Sequence, residues 1–138
     1  MKTFKLFMII CILTSAQLAR SEVVIIAHPS VSEAASHKQI KKIFLGKRKS
    51  LKSGHRTIPI SLPDGSPIRE EFNKKVLKKS NSQLKSYWSK LMFTGKGQPP
   101  KTIKSEAEVV QLVKRNPNII GYVNASALEE GVTVLGRY

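Results

Sequence analysis

The sequence has little of what a metal centre or a covalent active site requires. Among its 138 residues there is one cysteine, Cys11, and there are three histidines, His28, His37 and His55, without metal-ligand spacing. A single thiol excludes a disulfide framework and any multi-cysteine metal site. No G-x-S-x-G or H-E-x-x-H motif is present, and no local pattern pairs a nucleophile with a base. We therefore expect a protein that is not an enzyme and that uses no metal or cofactor.

Acidic residues are also scarce. Nine Asp and Glu stand against 24 Lys and Arg, which gives a formal net charge of +15, and Asp64 is the only aspartate. The length allows one small domain, and an apolar content of 41% is enough for its core. A field of one sign attracts polyanions. The basic residues are densest in two stretches: Lys38, Lys41, Lys42, Lys47, Arg48, Lys49, Lys52 and Arg56, then Lys74, Lys75, Lys78, Lys79, Lys85 and Lys90.

The first 21 residues have the pattern of a signal peptide. Lys2 and Lys5 precede an apolar run, Leu6–Leu13, that is too short to span a bilayer, and the small-x-small sequence Ala19-Arg20-Ser21 follows. We predict cleavage after Ser21, with Ala19 as the alternative, and a domain over residues 22–138. The expected location is the periplasm or the medium. The expected export would remove Cys11, which suits an oxidising compartment.

The remaining chain alternates strand and helix patterns. Val23–Ala27 is apolar throughout, which is typical of a strand buried on both faces, as in parallel sheets. Ser36 with Gln39 forms a capping box for a helix that ends near Gly46. Further helices are expected after Ser66, from about Ser82 to Phe93, and after a second capping box, Ser105 with Glu108; further strands are expected at Thr57–Leu62, Ile119–Val123 and Val132–Leu135. The order predicts an α/β domain with a small mixed sheet and about four helices.

The segment Asp64-Gly65-Ser66-Pro67-Ile68-Arg69 carries the chemistry of a candidate oxyanion site. It places a hydroxyl, free backbone amides and a guanidinium at the start of a helix, where the dipole favours negative charge. Arg69 could form two parallel hydrogen bonds to a phosphate or carboxylate. The alternative is that Ser66 only caps the helix and Arg69 is a solvated residue of its first turn.

Several motifs in register resemble one protein family. The motifs are the run VVIIAHP at Val23–Pro29, QIKKIFLG followed by Lys47, Asp64-Gly65-Ser66 followed by Arg69 and Phe72, Trp88, Thr94-Gly95, and NPNIIGYV at Asn116–Val123. Their order along the chain is similar to that of the phosphate-type periplasmic substrate-binding proteins of ABC transporters. The resemblance implies one lobe of the type 2 periplasmic-binding-protein fold, whereas full members of the family close two lobes over their anion.

The resemblance carries over only part of the family's ligand loop. Asp64 and Ser66 match its D-G-S-G-T pattern, but Pro67 and Ile68 replace the Gly-Thr pair, and Leu62 stands where the family has an arginine. Pro67 removes an amide donor and Ile68 a hydroxyl. The expected ligand-binding groups are Asp64, Ser66, Arg69 and the backbone amides near Ile68 and Arg69.

Two functions follow as expectations. In the first, the protein binds phosphate or a related oxyanion; if the role is uptake, the partner would be an inner-membrane ABC permease. In the alternative, it is an interaction protein whose lysines dock on an anionic envelope component or an acidic protein. Nucleic acid is disfavoured by the expected export and by an aromatic content of only 7%. The cluster at helical spacing, Tyr87, Trp88, Met92 and Phe93, is expected to pack in the core.

Overall fold

The computed structural model describes residues 21–138. The predicted signal peptide, apart from Ser21, lies outside the described residues, and it stays a prediction, as does the domain boundary. In the described part, the strands are β1 Val23–Ala27, β2 Ile58–Ser61, β3 Lys101–Thr102, β4 Ile119–Asn124 and β5 Thr133–Arg137. The α-helices are α1 His37–Phe44, α2 Pro67–Phe72, α3 Asn81–Phe93 and α4 Glu106–Arg115, and a π-helical turn, Asn73–Leu77, continues α2.

The five strands form one mixed sheet in the order β3-β2-β4-β1-β5. β2 runs parallel to both β3 and β4, whereas β1 is antiparallel to both β4 and β5. The prediction that β1 is buried on both faces is confirmed, since all five of its residues are buried. The association of this apolar run with a parallel strand is wrong for β1, which is antiparallel to both of its neighbours. An apolar run indicates that both faces of a strand are covered, but it does not determine the direction of the strand.

Helices cover both faces of the two central strands. On β4, Tyr122 stacks on Phe72 of α2, while a Cβ on its neighbour Gly121 would meet Val109 of α4 at 2.7 Å. Successive residues of a strand point to opposite faces, so α2 and α4 lie on opposite sides of the sheet. The aromatic core on the α2 side is compact: Phe44 joins the Phe72–Tyr122 stack, whose ring centroids are 3.9 Å apart.

The helices begin at the predicted caps. The Ser36 hydroxyl accepts from the Gln39 amide, the Gln39 side chain accepts from the Ser36 amide, and Gly46 has φ +72° just after α1. Ser105 caps α4 by accepting from the Glu108 amide. The second half of that predicted capping box is not formed among the described residues. The carboxylate that reaches a backbone amide here belongs to Glu106, which accepts from Asn124 at the end of β4.

Helix α3 departs most from the prediction. It starts one residue early, at a Ser80 and Gln83 capping box, and Leu84 is its only buried residue. Tyr87 and Trp88 are partly buried, but Met92 is 50% exposed and Phe93 is 94% exposed. The expectation that Tyr87, Trp88, Met92 and Phe93 all pack in the core is therefore wrong for Met92 and Phe93. Helical spacing places side chains on one face, but it does not reveal how far a neighbouring layer extends.

Among residues 21–138 no helix combines the length and the apolar character needed to cross a bilayer. In the same range no group of three or more His, Cys, Asp and Glu could hold a metal ion.

Candidate functional site

The turn between β2 and α2 positions the candidate oxyanion residues. The Ser66 amide donates to the Pro63 carbonyl at 3.1 Å, and Gly65 adopts φ +81°, a backbone conformation that glycine reaches without a Cβ penalty. Asp64 therefore lies at the outer end of the turn, and its side chain is 87% exposed. Ser66 begins the helix by accepting from the Arg69 amide at 3.4 Å, so its oxygen acts as an N-cap.

Arg69 is held by two contacts. Its Nη1 donates to the Leu62 carbonyl at 2.7 Å, and its Nη2 forms an ion pair with Asp64 Oδ1 at 3.0 Å. The side chain of Arg69 is only 22% exposed, so the guanidinium is fixed and partly shielded from water. A guanidinium has five N–H donors, and these two contacts leave others free to bind a ligand. An incoming anion would share Arg69 with Asp64.

A cavity of about 200 Å³ opens beside this ion pair, and we call it the Arg69 cleft. Its polar wall consists of Ser61, Asp64, Arg69, Asn73 and Thr102. Its apolar wall consists of Phe44, Phe72, Leu77, Leu84, Trp88, Pro99 and Pro100. A neighbouring depression of about 400 Å³ shares Asp64, Arg69 and Trp88 and adds Lys85. The cleft can therefore hold a small anion against one fixed cation and a largely apolar floor.

The structure brings together only part of the predicted site. Asp64 and Arg69 line the cleft and contact each other, whereas Ser66 and Ile68 are not among its lining residues. Ser66 is occupied as a cap, and Ile68 is buried with an exposure of 6%. The contribution of Ile68 would have to come from its backbone amide, as predicted.

Sequence reasoning missed several lining residues. Trp88 is expected in the core, against which it does pack in part, but it also lines the cleft and lies 3.6 Å from the position of a Cβ at Gly46. Ser61 and Thr102 face each other in the parallel pairing of β2 and β3. A two-residue strand gives no periodicity signal, so Thr102 could not be found from pattern. Trp88, the only tryptophan, carried a signal through the family resemblance alone.

Tyr122 supports the cleft from behind. Its hydroxyl accepts from the Leu62 amide at 3.2 Å and shares a hydrogen bond of 2.8 Å with Ser61 Oγ. Burial raises the pKa of Tyr122 above its usual value of 10.0, and the hydrogen bonds with Ser61 and Leu62 and the charge of Arg69 offset part of that rise. The phenol is therefore neutral at physiological pH. Through Leu62, it helps to fix the carbonyl to which Arg69 donates.

Comparison with solved structures gives the fold its context. No protein-family model matches the chain, and no curated protein matches it in sequence. An ABC-type phosphate transport receptor from Vibrio cholerae superposes with a TM-score of 0.65 at 12% identity. A protein from Clostridium perfringens that is assigned as a phosphate ABC transporter substrate-binding protein, and whose crystal structure contains bound phosphate, superposes with a TM-score of 0.63 at 22% identity. PstS from Borrelia burgdorferi gives 0.61 at 16% identity.

In each case the match covers 83% of this chain but only 46%, 45% and 47% of the receptors. The chain thus spans less than half the length of the proteins that it resembles. At these identities the likeness concerns the fold, and it confirms the fold expected from the motifs. The chain has the fold of the phosphate ABC transporter substrate-binding proteins, over the part of their length that one lobe would occupy.

Proposed function

We propose that this protein is an exported solute-binding protein that takes up phosphate or a related oxyanion in the Arg69 cleft, without covalent chemistry. The observation that carries the proposal is Arg69 itself, a fixed and mostly shielded guanidinium on the wall of a cavity of about 200 Å³. Arginine matches the geometry of phosphate oxygens because its N–H groups form a planar fork. If the role is uptake, the partner is an inner-membrane ABC permease.

The surroundings of Arg69 support an anion rather than a neutral ligand. Lys85 lines the adjoining depression, and Ser61 and Thr102 add hydroxyl donors to the wall of the cleft. Asp64 is the only carboxylate among the lining residues of the two cavities. Because Asp64 can accept a hydrogen bond, it would favour protonated phosphate over fully ionised sulfate. Of the other predicted groups, Ser66 and Ile68 start α2 outside the cleft and the Arg69 amide donates to Ser66 Oγ, so the proposal rests on the side chains of Arg69 and Asp64.

Calorimetric titration with phosphate, and with sulfate for comparison, tests the proposal at low and at physiological salt. We expect about one saturable site per chain, micromolar or tighter, that salt changes little because the cation is partly buried. Trp88 provides a second readout, since the only tryptophan lines the cleft and its emission should change on binding. Arg69→Lys keeps the charge but loses the fork, so we expect binding to weaken by about tenfold or more. Arg69→Ala should abolish it.

Arg137→Ala is the matched control. Arg137 also forms an ion pair, with Glu22 at 3.4 Å, but it lies on β5 at the edge of the sheet opposite β3. This variant should bind phosphate like the wild type. Binding that survives Arg69→Ala, or that disappears at physiological salt in every variant, would contradict the proposal and leave only diffuse attraction by lysines.

A second candidate function is supported by the basic face of α1 and the loop after it. Lys38, Lys42, Lys47 and Lys49 are exposed there, and the sequence has no acidic residue between Glu33 and Asp64. In this alternative the protein docks on an anionic envelope component or an acidic protein. Charge reversal at Lys41, Lys42, Lys47 and Arg48 should abolish docking and leave the phosphate titration unchanged, whereas Arg69→Ala should do the opposite.

A further inference from the structure

A different surface, at the end of α3, combines exposed apolar side chains with lysines. Phe93 is 94% exposed and Met92 is 50% exposed, and both lie in the last turn of the helix. Lys49 and Lys96 line, together with Met92, an open depression of about 470 Å³, and the exposed Lys90 precedes Phe93 by three positions on the helix. We call these five residues the α3 tip. None of the residues that line the depression is acidic.

The exposure of Phe93 belongs to an ordered part of the chain. The Thr94 amide donates to the Lys90 carbonyl at 3.1 Å, and its hydroxyl donates to the same carbonyl at 2.9 Å. The Lys96 amide donates to the Leu91 carbonyl at 2.8 Å, and Gly95 has φ +67°, so the helix ends in a closed glycine turn. These contacts fix the backbone on both sides of Phe93. The aromatic ring is therefore held outward by the helix ending.

The charges around the α3 tip have one sign over a long distance. The sequence contains no acidic residue from Phe72 to Ser105, the segment that includes α3 and its flanking loops. It also contains none from Ala34 to Pro63, the segment that includes Lys49. Lysines near an anionic bilayer are attracted to its surface, and the attraction falls off within a Debye length. Their aliphatic stems can follow an inserted apolar side chain while the ammonium groups remain among the headgroups.

We propose that the α3 tip docks on the surface of an anionic lipid bilayer, with Phe93 and Met92 in the interface and the three lysines among the lipid phosphates. Two features favour a bilayer over a protein partner. The apolar part is small and protruding, whereas a stable protein interface needs a larger complementary patch. A fluid interface accepts a single aromatic ring at headgroup depth without a preformed pocket. This inference does not depend on anion binding in the Arg69 cleft.

Cosedimentation with vesicles tests the proposal. The vesicles are phosphatidylcholine alone, or phosphatidylcholine with about one-third phosphatidylglycerol, at low and physiological salt. The protein used in this assay starts at Glu22, because the apolar run Leu6–Leu13 would itself bind lipid. Every strand and helix of the described fold lies within Glu22–Tyr138. We expect binding to the anionic vesicles only, and weaker binding as salt rises.

Two kinds of variant separate the α3 tip from general charge. Phe93→Ser should weaken binding by about tenfold, and Phe93→Trp should restore it, because indole favours the interface. The double reversal Lys49→Glu with Lys96→Glu should weaken binding by at least about tenfold. The matched control is Lys74→Glu with Lys78→Glu, which makes the same change of net charge beyond the other end of α3.

Each outcome decides the proposal. Phe93, Lys49 and Lys96 are exposed, so these variants should keep the thermal unfolding of the wild type, and this is checked in parallel. Equal losses from the two double reversals, together with no effect of Phe93→Ser, would show a diffuse electrostatic attraction and overturn the proposal. Absence of binding to anionic vesicles would also overturn it.

Discussion

Helices α1 and α3 begin in the same way and end in different environments. Each starts with a serine and glutamine capping box, at Ser36 in α1 and Ser80 in α3. Four of the eight residues of α1 are buried against the sheet and the aromatic core, whereas Leu84 alone is buried among the thirteen residues of α3. Identical local signals therefore produced one helix that stabilises the core and one that mainly presents a surface.

The difference assigns separate roles to two sides of the molecule. The central strands β1 and β4, with α1, α2 and α4, contain most of the buried apolar residues. The Arg69 cleft lies at the boundary, with Phe44 and Phe72 on its packed side and Leu84 and Trp88 on its α3 side. The cleft thus lies between the packed core and the weakly buried α3.

The largest expected contrast is between two phenylalanines. Phe72 is 2% exposed and stacks on Tyr122, so Phe72→Ala should lower the free energy of unfolding by about 3–5 kcal/mol. Phe93→Ala, at a side chain that is 94% exposed, should change it by less than about 0.5 kcal/mol. Urea denaturation followed by circular dichroism measures both. Similar losses in the two variants would remove the distinction between the two sides.

Two glycines give the next contrast. A Cβ at Gly121 of β4 would meet Val109 Cγ1 at 2.7 Å and Ile60 Cγ1 at 3.3 Å, so Gly121→Ala should destabilise the protein by about 1–3 kcal/mol. At Gly97, beyond α3, the nearest atom is Leu91 Cδ1 at 3.7 Å, an ordinary contact. Gly97→Ala should therefore be neutral in the same denaturation experiment. A neutral Gly121→Ala would mean that α4 can move away from the sheet.

The capping serines test whether α3 is coupled to the rest of the fold. Ser36→Ala and Ser80→Ala each remove a cap of about 1 kcal/mol. Because α1 is packed into the core, Ser36→Ala should lower global stability. Ser80→Ala should instead speed amide hydrogen exchange within α3 and leave exchange in β1 and β4 unchanged. Faster exchange throughout the sheet in Ser80→Ala would show that α3 unfolds together with the core.

The smallest contrast lies in how stability changes at alkaline pH, and it concerns Tyr122 and Tyr87. Burial raises the pKa of both phenols above 10.0. The folded protein then holds each proton more tightly than the unfolded chain, so the contribution to stability is complete below about pH 10 and is lost as the pH rises through the folded pKa. Tyr122→Phe should flatten this alkaline loss more than Tyr87→Phe. Denaturation curves at several alkaline pH values measure the difference.

Features set by neighbouring residues could be predicted from the sequence. The cap at Ser36, the turn at Gly46 and the start of α2 at Pro67 depend on contacts within a few residues, and all three are confirmed. The antiparallel direction of β1 and the outward position of Phe93 depend on distant parts of the chain, and the local pattern did not contain them.

The candidate site shows the same division. The sequence placed Asp64 and Arg69 together because both belong to one turn and helix start. The opposite wall, with Thr102 and Pro99, comes from a segment thirty or more residues away that enters the sheet through only two residues. Such a wall follows from the tertiary fold and leaves no local pattern. The pairing of Arg69 with Asp64 likewise needed side-chain geometry.

The short strand β3 has a consequence for self-association. It lies at an edge of the sheet, and Pro99 and Pro100 precede it while the exposed Lys101 and Lys104 flank Thr102. This edge is short, follows two prolines and carries positive charge. It therefore offers few unpaired backbone N–H and C=O groups to a strand from another molecule. This edge is thus protected against the addition of a strand from another molecule.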